Sequence, residues 1–436
     1  MNQENQERAL HLLETVFGYP AFRGHQAEIV DHVSNGGAID SVNPAGLMRR
    51  FGDLGLAEDV LQEACRKALE LWPRTGIPDH PAAWLSAVAR NAGLDLVRRA
   101  GKSVVDAEVV LSSLPASAME ETHAIEDDRL RLLFICCHPA LAPEAQVALA
   151  LRTLCGLSTA EIARAFGVAE AALSQRLLRA KRKIAEAHIP FELPPAQDWP
   201  PRLAQVLHVI YLVFSEGYCA SGGDVLLRAD LCAEALRLGR LLDSLQPGQP
   251  EVQGLLALML LQASRGPARL SPEGHLLTLE EQERRLWDGA LIAEGLVVLA
   301  LALPARAPGP YQLQAAIAAL HAQAPTASQT DWRQIHVLYG ALLRHRPEPL
   351  ILLNAVIACA MAHGAAHGLA WLARLEAVPS LAKSHYLHAA RADLLRRQGD
   401  RSGALAAYAQ AAMLASNAVE RQYLLRRQGE MRLPLV

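Results

Sequence analysis

Basic and polar side chains at helical spacing are the most chemically pointed feature of this sequence. Between Ala169 and Ala187, the residues Glu170, Ser174, Gln175, Arg176, Arg179, Lys181, Arg182 and Lys183 share one side of an expected helix. Leu173, Leu177, Leu178 and Ile184 take the inward side. Upstream, Ser158 and Glu161 have the spacing of a capping box, in which two side chains satisfy each other's backbone N–H groups. Ile162, Ala163 and Phe166 continue as an apolar stripe, and Gly167 suits the left-handed turn that ends a helix. A capped helix, a glycine turn and a longer basic helix fit the DNA major groove. Residues near the start of the second helix would face base edges, and the cluster at its end would meet phosphates. The same spacing also suits a helical hairpin with a solvated basic face.

A second group is Trp84, Arg90, Asn91, Arg98 and Arg99, all on one expected helix that follows Pro81. An aromatic ring beside arginines can hold unstacked single-stranded bases. It can equally be a core tryptophan flanked by solvated charge. Cys136-Cys137-His138 invites a metal reading. Adjacent cysteines on a helix point apart, however, and no second Cys/His pair stands at zinc spacing, so packing is the expected role. Glu216, Gly217, Tyr218 and Asp224 could bind a ligand or form a helix-end turn with a capping Asp, and the turn is the expected role. No Ser/His/Asp or Cys/His nucleophile arrangement stands out, so neither catalytic residues nor a cofactor are expected.

The elements that must position these groups are helices. Half the chain is hydrophobic, at 51%, but only 5% is aromatic. Ala and Leu lose little freedom in a helix, whereas strands favour β-branched and aromatic residues. No strand pattern is found, and the expected fold is all-α. The formal charge of −3 excludes a chain that merely coats nucleic acid, so DNA contact must come from a local face or be shared with a partner. Seven scattered cysteines and a polar start, MNQENQER, predict a reduced, cytoplasmic chain. The longest apolar stretch, Leu291–Leu303, is broken by Glu294 and is too short to span a bilayer.

Composition shifts divide the chain at 1–46, 47–101, 102–128, 129–189, 190–200 and 201–436. The segment 102–128 reads as a small, polar, acidic linker, and 190–200 as a proline-rich one. In 47–101 a helix over 54–70 offers Leu54, Val60, Leu61, Ala64 and Leu69 for burial, with a proline-rich interruption at Trp72–Pro81. In the last segment, Leu394, Gly399, Ala404, Tyr408, Ala411 and Ala412 follow a small/large alternation of paired helices.

Two strings in order, LAEDVLQEA…WLSAVARNAGLDLVRR and PEAQVALALRTLCGLSTAEIARAFGVAEAALSQRLLRAKRKI, resemble regions two and four of extracytoplasmic-function RNA polymerase sigma factors. FICCHPALAPEAQ, YLVFSEGYCASGGD, EVQGLLALMLLQASR, PYQLQAAIAALHA and TDWRQIHVLYGALL resemble the subgroup with a long helical, tetratricopeptide-like extension. The resemblance implies a region-two domain at 47–101, a helix-turn-helix region-four domain at 129–189 and the extension at 201–436. It implies core RNA polymerase and promoter DNA as partners, with a regulatory protein on the extension and no membrane. Glu58, Asp59, Gln62 and Glu63 would meet polymerase. The Pro-rich loop and the helix of Trp84 would capture the melted −10 element, and the helix from Ala169 would read the −35 element.

Residues 1–37 depart from that pattern and resemble the start of RecQ-type helicases, with Phe22, Arg23 and Gln26 as the adenine-gripping element. No complete G-x-x-x-x-G-K-[ST] phosphate loop occurs, so ATP hydrolysis is not expected. This start displaces the first helix of region two, which makes an interaction scaffold with vestigial DNA-binding domains the alternative.

Overall fold

The computed structural model describes residues 47–48, 51, 54–76, 78–99, 131–154, 157–166, 168–187, 189, 199–220, 226–305, 308–375 and 378–432. The RecQ-like start, with Phe22, Arg23 and Gln26, and the 102–128 linker lie outside them. Among the described residues everything regular is helical except one isolated antiparallel bridge, Leu270 with Leu276. By contact the chain forms two compact units, Met1–Gly156 with Ser174–Arg202, and Leu157–Leu173 with Leu203–Val436. This division cuts across the expected 129–189 segment.

In the first unit, α1 spans Leu54–Thr75 and α2 spans Pro81–Arg99. The buried stripe of α1 is Leu54, Ala57, Val60, Ala64, Ala68 and Trp72. Leu61 and Leu69, expected inside, are only half-buried because the stripe runs through the alanines instead. Against it α2 buries Leu85, Ala89 and Ala92. Each fully buried leucine-sized side chain stabilises by about 1.5–3 kcal/mol. The expected interruption at Trp72–Pro81 is shorter than the prolines suggested. Helix α1 runs on through Pro73, anchored by buried Trp72, and ends where Gly76 takes φ +83° and donates to the Trp72 carbonyl at 3.0 Å. Helix α3 is Pro143–Thr153, with Gln146 to Leu151 buried.

The second unit opens with α4, Thr159–Ala165, and with the start of α5, Glu170–Glu186. Then come α6 Trp199–Tyr218, α7 Ala229–Leu245, α8 Pro250–Ala263, α9 Gly289–Ala302, α10 Pro310–Gln323, α11 Trp332–His345 and α12 Pro349–His363. The chain closes with α13 Ala365–Leu375, the short α14 Pro379–Ala382, α15 His385–Gln398, α16 Arg401–Leu414 and α17 Ala418–Arg432. Because α6 begins at Trp199, the last two residues of the expected 190–200 linker are helical. From α7 onward the main packing partners are helices one or two places along the chain.

The centre of this unit is α8, buried from Val252 to Leu261 against α7, α9 and α10. A helix that is apolar all round must be covered on all sides. Its polar start is used as well, since the Glu251 carboxylate accepts from the Tyr311 and Gln312 amides, both at 3.1 Å. A carboxylate there meets the orphan N–H groups and positive end of α10. One turn on, a Cβ at Gly254 would stand 2.6 Å from the Gln312 nitrogen, so only glycine admits this approach. At the other end, Gly399 takes φ +89° after α15, and Asp400 caps α16 by accepting from the Gly403 amide at 2.8 Å. Ala392, Ala404, Tyr408, Ala411 and Ala412 then form the buried seam.

Gly254→Ala should destabilise the protein by about 1–3 kcal/mol, the usual range for overpacking. A chemical-denaturation midpoint equal to that of the parent protein would show that α8 and α10 can part at no cost.

Candidate nucleic-acid interface

The capping box forms as the spacing predicts. The Ser158 amide donates to Glu161 Oε2 at 2.7 Å, and the Glu161 amide donates to Ser158 Oγ at 3.2 Å. Behind it Ile162 and Ala163 are buried, while Phe166 is 36% exposed. Phe166 therefore lies at the rim of the stripe and not in it. The Val168 amide reaches back to the Ala163 carbonyl at 3.0 Å, which ties off α4. Gly167 lies outside the described residues. Glu161 has a second use, because Arg228 sits 3.6 Å away and also holds Asp230 at 2.9 Å. Nothing in the local spacing announces Arg228. Its nearness to Glu161 arises from the extension folding onto α4.

Helix α5 is two-faced. Leu173, Leu177, Ala180 and Ile184 are buried, at steps of four, three and four residues. Leu178, expected inside, is 42% exposed, and small Ala180 takes the inward place. Glu170, Ser174, Gln175, Arg179, Arg182 and Lys183 are exposed, and Arg176 is half-buried. The Arg179 Nε donates to the Gln175 carbonyl at 3.2 Å, which holds the guanidinium along the helix. Lys181 does not join this face freely. Its ammonium contacts Glu58 Oε2 of α1 at 2.5 Å, with the side chains 22% and 15% exposed. Lys181, expected at DNA, and Glu58, expected at polymerase, neutralise each other here.

The other expected sites are less uniform. On α1, Asp59 and Gln62 are exposed. Glu63 is engaged by Arg66 at 2.7 Å and Lys67 at 3.7 Å, and the Arg66 hydrogen bond holds its carboxyl below the usual range. Such exposed pairs contribute little to stability and can open at small cost. On α2, Trp84 meets Trp72 edge-on at 5.3 Å and is half-buried, so the ring is partly spent on packing. Arg90 is half-buried and Asn91 exposed. The Arg98 and Arg99 side chains lie outside the described residues, as does Asp224.

Cys136 and Cys137 are buried in the first unit's core. Burial pushes the Cys136 thiol up to about 12, although its Sγ contacts Thr153 Oγ1 at 3.3 Å, and pushes Cys137 well above the ordinary thiol range. Protonated thiols are neither good ligands nor nucleophiles. The His138 Nδ1 accepts from the Ala140 amide at 3.2 Å. Among the described residues no three His, Cys, Asp or Glu side chains group as a metal site. No described helix is long and apolar enough to cross a membrane. Gly101-Lys102-Ser103 is the nearest approach to a phosphate loop, but Leu96, inside α2, stands where the loop's first glycine belongs.

Two small helical domains, one ending in a capped helix followed by a basic helix, are the arrangement of a sigma-type protein. Residues 45–103 match the family model for Sigma-70 region 2, and residues 131–184 match Sigma-70, region 4. Residues 202–303 match a family of unknown function, DUF6596. The chain is 34% identical over 139 residues to the ECF RNA polymerase sigma factor SigL of Mycobacterium tuberculosis (strain ATCC 25618 / H37Rv), covering 31% of this chain and 77% of that protein. It is 26% identical over 266 residues to the probable ECF RNA polymerase sigma factor SigI of the same strain, covering 59% of this chain and 78% of that protein. Across nearly the full length it is similar to the uncharacterized protein R00370 of Rhizobium meliloti (strain 1021), at 48% identity over 396 residues, 89% of this chain and 93% of that one. The chain belongs to the extracytoplasmic-function RNA polymerase sigma factor family and carries a helical C-terminal extension. This family is not a class of enzymes.

Ser158→Ala should remove one half of the cap and cost about 1 kcal/mol. Amide exchange in the first turn of α4 should then quicken about fivefold, while Ser158→Thr restores protection. Unchanged exchange in the alanine variant would show that the contact of Glu161 with Arg228 holds the helix start alone.

Proposed function

We propose that this sigma factor binds core RNA polymerase and directs it to promoters, with α5 reading the −35 element. The observation that carries the reading is the exposed polar and cationic face of α5 opposite a continuous buried stripe. Ser174, Gln175 and Arg176 lie toward the start of the helix, where base edges are met. Arg179, Arg182 and Lys183 follow toward its end and suit phosphates. The −10 element falls to α2, through Asn91, Arg90, Arg98, Arg99 and the free part of Trp84. Asp59 and Gln62 on α1 are the polymerase-facing groups, joined by Glu58 and Glu63 once their ion pairs open. Polymerase supplies the rest of the DNA contact, which suits a chain with net charge −3. Such a factor acts in the cytoplasm and has no catalytic residues of its own. The extension serves as a regulatory or interaction domain, a role supported by the contact of Arg228 with Glu161 at the start of α4.

Purified core polymerase with the full chain should yield promoter-dependent transcripts from genomic DNA, and none without the chain. Absence of both core binding and transcripts would sink the proposal and favour the interaction scaffold. Arg179→Ala and Arg182→Ala should weaken binding to all sequences and each lower the salt slope by about 0.9. Changing Gln175 should instead alter base preference. Glu58→Gln should free Lys181 and steepen the salt dependence by about one phosphate's worth. An unaltered slope would mean that Lys181 lies off the DNA path.

A further inference from the structure

The extension contains a second group of arginines, Arg269 buried and Arg265 and Arg284 half-buried, which stack on aromatic rings and have no ion-pair partner among the described residues. The Arg269 guanidinium lies 3.9 Å from the Tyr218 ring centre. Arg265 stands between rings, 5.9 Å from Tyr218 and 5.5 Å from Trp287. Arg284 lies 4.0 Å from Trp287. Cations and rings thus alternate in one ladder, drawn from the end of α6 and the two sides of the α8–α9 connection.

Stacking satisfies the flat face of a guanidinium but leaves its edge, which carries five N–H donors. Arg269 uses one edge group on the Tyr218 carbonyl. The Arg265 Nε and all three nitrogens of Arg284 are buried without an acceptor among the described residues. The Tyr218 hydroxyl, the Trp287 Nε1 and the His321 Nδ1 are buried unpartnered as well. Each buried donor left unmade costs about 1–3 kcal/mol, and more when charged.

The acids nearest in sequence are committed elsewhere. In the α8–α9 connection Glu273 binds Ser271, and Glu280 pairs with Arg397 at 2.7 Å. Glu281 accepts from Thr278 and lies 3.7 Å from Arg426. Glu283 pairs with Arg285 at 2.5 Å, and Asp288 caps α9. Among the described residues no carboxylate forms an ion pair with Arg265, Arg269 or Arg284. Burial, with Arg265 and Arg284 nearby, holds the His321 imidazole down to about 4, so it stays neutral at pH 7 and adds no further cation to the cluster.

We propose that the edges of Arg265 and Arg284, with the Trp287 indole N–H, form a binding site for a small oxyanion, a phosphate or a carboxylate group. Such groups match the guanidinium fork and neutralise it, which water cannot do. The donors are too enclosed for an acidic side chain of another protein, so the ligand is a small molecule. The site lies almost wholly within residues 202–303, the part matched by a family of unknown function.

Equilibrium dialysis and calorimetry of the full chain with inorganic phosphate, and separately with malonate, at constant ionic strength against chloride, test this. A saturable site for either anion is expected; phosphate alone points to a phosphate ester and malonate alone to a carboxylate. Arg284→Gln and Arg265→Gln should weaken it by about 10- to 100-fold, the loss of a charge-assisted hydrogen bond. Arg285→Gln, an exposed neighbour, should bind as the parent does. Should either glutamine variant fail to fold, Arg284→Lys keeps the charge, loses the fork and should still weaken binding. No saturable binding of either anion to the parent, or undiminished binding in folded Arg284 and Arg265 variants, overturns the proposal.

Discussion

Close approach of helix backbones is the constraint on which the rest of this structure depends. With few aromatic side chains, the chain cannot fill wide gaps between helices. It brings them together instead at Ala and Gly, as in the Ala57, Ala64 and Ala68 stripe of α1 and at Gly254 where α8 meets Gln312. Close-packed interiors gain from many weak contacts at short range, and this gain is lost steeply as surfaces part. Short helices of 11 to 17 residues such as α7 to α13 would be marginal alone, so each depends on its neighbours for burial. The large residues that do appear, Trp72, Phe214 and Tyr408, are fully buried and serve as anchors between small ones.

Carboxylates do the complementary work at helix ends. Glu161 closes the cap on α4 and meets Arg228, Glu251 takes the first amides of α10, and Asp288, Asp331 and Asp400 cap α9, α11 and α16. On α5, by contrast, Arg179, Arg182 and Lys183 stay exposed on one face of the helix. Lys181 is the exception on that face, and its pairing with Glu58 shows that the sign of a local patch depends on what has folded beside it.

How much was legible in the sequence followed from the range of each interaction. The capping box of Ser158 and Glu161 spans three residues, and it formed as read. The all-helical class and the resemblance to sigma regions two and four held for the same reason, because both rest on local strings. The errors lie where a helix chooses between two flanks. Ala180 lies on the inward arc of α5 with Leu173, Leu177 and Ile184, whereas Leu178 is turned about 100° past Leu177 and is exposed, so hydrophobicity alone picks the wrong residue. Pro73 looked like a stop, yet buried Trp72 holds the last turn around it. The strings EVQGLLALM and PYQLQAAIAAL were recognisable separately, but that Glu251 and Gly254 of one meet Tyr311 and Gln312 of the other spans about sixty residues of chain and no periodicity records it.

Arginine separates the two halves of the molecule most clearly. On α5, Arg179 and Arg182 stay in water, where a charge costs nothing to keep and can meet phosphates as they arrive. In the extension, Arg265 and Arg284 are half-buried, with rings against their faces and with the Arg265 Nε and all three Arg284 nitrogens buried without an acceptor among the described residues. A surface arginine can be exchanged for lysine with modest effect, whereas a stacked one depends on the flatness of its guanidinium. Local sequence does not distinguish the two, since RLLRAKRK and ASRGPAR look equally basic. Only the aromatic residues far along the chain, Tyr218 before the second string and Trp287 after it, turn it into an interior site. The function of the extension is therefore more readily sought in what satisfies those edges than in the charge of its surface.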